Sequence, residues 1–238
     1  MLIFLDIETT GYEKEDRICS LGALFFEEEN YKKNIYGLCN EGKKIPALAS
    51  AQHNITNEMI ADKVLLSESR FFKELLKQNS SENTLIVHNA VFVLGMLASS
   101  GLKWRGKIID TQRVVKHHIP ECELFTLAFL RYELNLYRQE LSVKKECGIK
   151  DALLSHHALS DALFIKLLFD YLQKELSIEK MYQLSFENVL LEKLPFGKYL
   201  GRYIEEIAMI DRSYLVWMLS LETLDEDLRY SLEYYLQG

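Results

Sequence analysis

The 238-residue sequence has no apolar run approaching the ~20 residues that a membrane-spanning helix requires. Its opening stretch, Met1 to Leu5, lacks the basic flank and the length of a secretory signal. A cytoplasmic protein is the expectation. Its four cysteines, Cys19, Cys39, Cys122 and Cys147, show no Cys-x-x-Cys spacing, which argues against a zinc site and, in a reducing compartment, against disulfides. Basic charge is short as well: 28 Lys and Arg stand against 35 Asp and Glu, a net charge of −7. No global field therefore draws the chain to nucleic acid, and such a partner would be held locally, by bound metal and short basic patches. Internal repeats and low-complexity tracts are missing too.

What is present is the composition of an ordinary globular protein, 48% hydrophobic and 26% charged, long enough for one good core and a small appendix. The stretch on which the rest depends is Met1 to Gly11, an apolar strand that ends in Asp6-Ile7-Glu8 and breaks at glycine. Side chains alternate along a strand, so Asp6 and Glu8 share a face. Two carboxylates side by side repel unless a cation lies between them, and hard oxygen ligands of this kind suit Mg²⁺ or Mn²⁺.

After that strand, Ile18 to Phe26 and Ile35 to Leu38 read as a hairpin. Thr56 carries a helix-capping signal, and Ser67 to Lys77 has helical spacing with Phe71, Phe72, Leu75 and Leu76 on one face. His53 reads as a loop residue. Thr84 to Ala90 is a buried strand leading into a helix from Val91 to Ser99, and Lys107 to Asp110 is a short strand before a helix from Thr111 to His117. Leu124 to Leu134 is a further helix, and a basic stretch through Lys145 is a loop or a pair of short helices. A long helix opens at His156-His157 and reaches about Leu176; charge and imidazole at its opening point to function, and the alternative is that Ser155 or Ser160 caps it and the histidines are solvated. Strands alternating with helices indicate an α/β sheet, whose ligands gather at strand C-termini, where Asp6, His88 and Asp110 are placed. A boundary falls near residue 180, with a linker over about 179–192. Two short helices are expected between Ile204 and Leu236.

Three motifs in order, Phe4-Leu5-Asp6-Ile7-Glu8-Thr9-Thr10-Gly11, His88-Asn89-Ala90-Val91-Phe92 and His156-x-x-x-x-Asp161-Ala162, resemble those of the DEDDh 3′–5′ exonucleases. Asp16-Arg17-Ile18-Cys19-Ser20-Leu21-Gly22, His53-Asn54-Ile55-Thr56 and Ile109-Asp110-Thr111 support the match, which covers roughly residues 1 to 175. Leu194-Pro195-Phe196-Gly197-Lys198-Tyr199-x-Gly201-Arg202 resembles the small domain that follows the nuclease in exonuclease X-like proteins. The resemblance implies an RNase H-like mixed sheet flanked by helices over 1–178 and a small, mainly helical C-terminal domain over 193–238.

It also implies a site. Asp6, Glu8 and Asp161 would hold two Mg²⁺ or Mn²⁺ ions, His156 would be the general base, and Thr9, Thr10, Asn89 and Phe92 would receive the terminal nucleotide. Packing is the alternative for Phe92, and His157 occupies a position that varies in the family. The C-terminal loop would contact phosphate and stack on bases, or else its aromatics form a small core. One position departs from the pattern. The family has an aspartate after the phenylalanine of the second motif, and here it is Val93, which offers no oxygen. The expected function is metal-dependent release of nucleotides from DNA 3′ ends, in repair or proofreading, with single-stranded DNA as partner, a polymerase or repair protein beside it, and activity weakened by Val93. The alternatives are a catalytically silent nucleic-acid-binding module and an RNA 3′ exonuclease.

Overall fold

Phe4 and Leu5, neighbours in sequence, are buried on opposite faces of a sheet, and that alternation organises the molecule. In the computed structural model, which describes residues 1–237, the first strand β1 runs Leu2–Thr9. It pairs antiparallel with β2 (Ile18–Glu27), which pairs antiparallel with β3 (Asn30–Leu38) around a turn where Glu28 takes φ 56. On its other side β1 pairs parallel with β4 (Thr84–Val87), and β4 with β5 (Lys107–Asp110). The sheet order is β3-β2-β1-β4-β5, the mixed, helix-flanked architecture expected.

The helices are α1 (Ala47–His53), α2 (Asn57–Ile60), α3 (Arg70–Leu76), α4 (Ala90–Ser99), α5 (Thr111–His118), α6 (Leu127–Glu133), α7 (Glu140–Glu146), α8 (Ala158–Leu172) and α9 (Ile178–Leu184). They are followed by α10 (Ile204–Ile210), α11 (Arg212–Leu219) and α12 (Glu226–Gln237). Helix α8 crosses β1 and β2, packing Phe164, Leu168 and Phe169 against Phe4, Leu24 and Phe26. The opposite face packs Ile3, Leu5 and Ile7 against Phe72 and Leu75 of α3 and Val93, Met96 and Leu97 of α4. Burying side chains of this size stabilises the fold by about 1.5–3 kcal/mol each, before conformational entropy is set against it. No helix among the described residues is long and apolar enough to cross a membrane.

Several expectations shift. Asp6 lies inside β1, opposite Gly22, rather than at its end, because pairing with β2 continues to Thr9. Helix α3 leaves Leu76 exposed, while Phe72 and Leu75 are buried in the core and Phe71 packs against its edge. Helix α8 starts at Ala158, not His156, because His156 takes φ 59 and His157 caps the helix. The stretch expected as linker holds α9, whose Met181 and Leu184 join the cluster beneath α8. The tail has three helices, not two: Asp211, at φ −149, ends α10 and its carboxylate takes up Lys198, Tyr199 and Ser213. These three close a separate cluster of Leu194, Ile204, Ile207, Leu215, Met218, Leu228 and Leu232. The paired bonds of Arg113 to Asp227, 3.0 and 2.9 Å, tie it to α5.

Candidate active site

Asp6 and Glu8 leave β1 on the face covered by α8, and Asp161 lies in the first turn of that helix. Their carboxylates converge, with one oxygen from each lying within 4.8 Å of the others. Gly22 makes the approach possible. It faces Asp6 across the β1–β2 ladder, and a side chain there would collide with the main chain of Ala158 and Leu159. The absence of a Cβ lets the helix lie directly on the sheet.

Burial dominates the electrostatics. Asp6 is held well above the usual carboxylate range by burial, then by the charges of Asp161 and Glu8. Glu8 is pushed up to about 8 by burial and then by Asp161. Asp161 is pushed up to about 7 by burial, opposed by the backbone amides of His156 and His157 and by Arg131. Arg131 does not neutralise the group, because its guanidinium is bound through two bonds to Glu140. Three converging oxygen donors with uncompensated charge fit a hard divalent cation, and Asp6, Glu8 and Asp161 are the residues that could hold one.

All three acids, His156 and the four expected nucleotide-binding residues line one cleft of about 760 Å³. His156 stands on its rim, and partial desolvation moves its imidazole below the ordinary value, toward the neutral form. The hydroxyl of Thr9 donates to the Gly11 carbonyl at 2.6 Å, and that of Thr10 to Asp16 at 2.7 Å. These two protons shape the Gly11–Tyr12 loop; Thr10 Oγ1 also accepts from the Arg17 amide at 3.0 Å, so it is the Thr9 oxygen and the loop backbone that remain to meet a ligand. Asn89 sits at φ 70 and caps α4 by accepting from the Phe92 amide at 3.4 Å. Phe92 packs against Tyr12, ring centroids 5.6 Å apart, at the cleft mouth. Val93 lies apart from them, 2% exposed within the apolar cluster on the other face of the sheet.

Sequence reasoning gave too little to four residues. His53, expected in a loop, ends α1 and is buried: its Nδ1 accepts from the Ile55 amide at 3.0 Å, so Nε2 carries the proton to the Thr9 carbonyl at 3.2 Å. Asp16 gathers Thr10, the Glu13 amide and Lys43 around the loop. Asp110 accepts from the amides of Asn89 and Ala90 and from those of Gln112 and Arg113, joining the starts of α4 and α5. His88, beside it, faces Thr111 through Nδ1 and the Phe125 carbonyl through Nε2 at 2.8 Å, so it braces the strand end from behind. The signal for His53, Asp16 and Asp110 lay in the short supporting motifs and that for His88 in the second main motif, which mark a position without saying what it bonds to.

Comparison with known proteins agrees with this geometry. Over its whole length the chain is 24% identical to exodeoxyribonuclease 10 of Escherichia coli K12, with all of both chains aligned over 242 positions. The structure of exonuclease X in complex with 5′-overhanging duplex DNA matches 78% of this chain and 99% of that one, at 22% identity and a TM-score of 0.61. The nuclease domain of 3′hExo, a DEDDh family member bound to rAMP, matches 73% of this chain and 92% of that one, at 12% identity and a TM-score of 0.52. The exonuclease (RNase T) family model matches residues 3–169. With Asp6, Glu8 and Asp161 inside that span, the chain belongs to the exonuclease family and has the DEDDh-type fold.

Proposed function

We propose that this protein is a divalent-cation-dependent 3′–5′ exodeoxyribonuclease that removes nucleotides from DNA 3′ ends, in repair or proofreading, with turnover limited by Val93. The observation that carries the reading is the convergence of Asp6, Glu8 and Asp161, with His156, on one cleft. A divalent cation, Mg²⁺ or Mn²⁺, supplies charge stabilisation to the scissile phosphate and acidifies the attacking water. Asp6, Glu8 and Asp161 would hold it. Val93 offers no oxygen, so a second cation would find fewer ligands here than in the family pattern.

The chain's own part follows from its groups. Asn89, Phe92 and the Thr9–Thr10 loop receive the terminal nucleotide, with Phe92 and Tyr12 offering ring faces to its base. His156 takes the proton of the attacking water on its free ring nitrogen, which partial desolvation biases toward the unprotonated form. The water oxygen bonds to phosphorus, the bond to the 3′ oxygen of the preceding nucleotide breaks, and that oxygen is protonated from solvent. A 5′-mononucleotide leaves.

Residues 193–238 form the second body of this reading, with Phe196 and Trp217 exposed where they could steady a single strand. Val93 favours one other reading, a catalytically silent module that binds nucleic acid, alone or beside a polymerase.

The test uses single-stranded DNA made resistant by phosphorothioate linkages at either its 3′ or its 5′ end, with RNA of the same sequence, in Mn²⁺ and in chelator. Protection by the 3′ block alone, faster consumption of DNA than RNA and silence in chelator are expected. Protection by the 5′ block overturns the direction, and faster loss of RNA overturns the substrate. Binding without cutting favours the silent module.

A further inference from the structure

His156 is a non-glycine residue with φ 59, and what surrounds it is built to keep it there. The left-handed region disfavours residues with a Cβ, so an isolated turn of this kind relaxes to negative φ and carries its side chain elsewhere. Here the residues on either side are tied down. The Leu154 amide donates to Ser160 Oγ at 3.2 Å, which closes the chain before His156 onto the first turn of α8. After it, the His157 amide donates to Asp161 Oδ2 at 3.2 Å. The His157 ring accepts from the Ser160 amide through Nδ1 at 3.4 Å and is the cap of α8.

One further contact reaches this turn from the sheet. The Tyr36 ring on β3 stacks on the His157 imidazole, centroids 4.4 Å apart and planes at 27°. Tyr36 is opposite Gly22, and Gly22 is opposite Asp6, so the three residues form one row across β3, β2 and β1. The start of α8 is seated on this row. Gly22 sets how close it comes, and Tyr36 closes the side away from the carboxylates. Aromatic stacking at this separation adds stabilisation beyond the buried area, which opposes the strain of the turn.

We propose that Tyr36 and His157 are positioning residues that clamp the His156 turn over the cleft, so that the ring stack, not the helix cap alone, fixes where His156 presents its imidazole. This rests on the reading of His156 as the proton acceptor of the nuclease reaction. Neither Tyr36 nor His157 lines the cleft, so neither needs to touch the nucleotide.

The clamp separates from a general structural role by substitution. Asparagine offers a capping oxygen in place of His157 Nδ1 and removes the stack, so His157→Asn isolates the ring. Tyr36→Leu fills much of the space without an aromatic face, and Tyr36→Phe keeps the face. Tyr36→Leu and His157→Asn are expected to lower kcat by about 10–100-fold, the effect of displacing a reacting group by an ångström, while KM for single-stranded DNA stays within about 2-fold. Tyr36→Phe should recover most of the rate.

A second measurement does not depend on activity. In ¹³C-histidine-labelled protein, the imidazole resonance that disappears in His156→Gln should be single and narrow in the natural chain and in Tyr36→Phe, and should broaden or split in Tyr36→Leu. If the natural chain cuts no nucleic acid but Tyr36→Leu broadens that resonance, the clamp stands and the nuclease reading fails. If the chain cuts and Tyr36→Leu alters neither kcat nor the resonance, the clamp is overturned.

Discussion

Gly22 stands opposite Asp6 on the neighbouring strand, and the main chain at Ala158–Leu159 occupies the space that a side chain on residue 22 would need. A glycine on one element therefore sets the distance between carboxylates on two others. Gly22→Ala must lift the start of α8 away from β1, carrying Asp161 from Asp6 and Glu8. It should destabilise the fold by about 1–3 kcal/mol, the usual effect of overpacking, and weaken Mn²⁺ binding at least ~10-fold. Thermal unfolding together with calorimetric titration of Mn²⁺ checks both. Tight Mn²⁺ binding in the variant would show that the seat does not govern the site.

Burial raises Glu8 from 4.5 to about 8 and Asp161 from 3.8 to about 7. A carboxyl whose folded-state value is raised favours folding below its unfolded value, and this contribution is lost as pH climbs through the folded one. In chelator the chain is therefore expected to lose stability between about pH 4 and pH 8. Cation binding needs the deprotonated acids and offsets their repulsion, so Mn²⁺ should raise Tm more at pH 8 than at pH 5. Glu8→Gln should raise Tm at pH 8 in chelator and abolish most of the response to Mn²⁺. Melting curves at both pH values, with and without Mn²⁺, decide the sign.

Val93 is buried among Leu5, Ile7, Met96 and Leu97. Val93→Asp places an acid in that apolar setting, which in chelator should lower stability by about 1–3 kcal/mol. In Mn²⁺ the family pattern predicts that the same change supplies the missing ligand and quickens cleavage by ~10-fold or more, which requires the start of α4 to turn residue 93 from its apolar cluster toward the cleft. A destabilised variant that cuts no faster in Mn²⁺ would mean that α4 here is turned away from the site, and that valine belongs to its packing.

The parts of the site closest together in sequence were the most legible. Period-two alternation puts Asp6 and Glu8 on one face, and apolar spacing finds α8 and with it Asp161. Family motifs supplied what periodicity could not, the association of a strand near the N-terminus with a helix beginning at Ala158. Contacts between distant segments stayed hidden. Nothing local in Tyr36 or His157 announces their stack, and the φ of His156 follows from ties at Leu154 and Asp161 that exist only once α8 is seated. His53 looked like a loop residue because its role is a bond to the Thr9 carbonyl, made by the fold. The same holds for the tail, where Asp211 divides α10 from α11 and finds partners in Lys198 and Tyr199.

The most direct measurement follows 5′-labelled single-stranded DNA in Mn²⁺ with the natural chain and with Asp161→Asn, a near-isosteric change that removes one charge from the trio. The natural chain should give a ladder that shortens from the 3′ end, and Asp161→Asn should slow it by ~100-fold or more while retaining a cooperative melt. A folded Asp161→Asn that cuts at the natural rate would contradict a reaction centred on Asp6, Glu8 and Asp161.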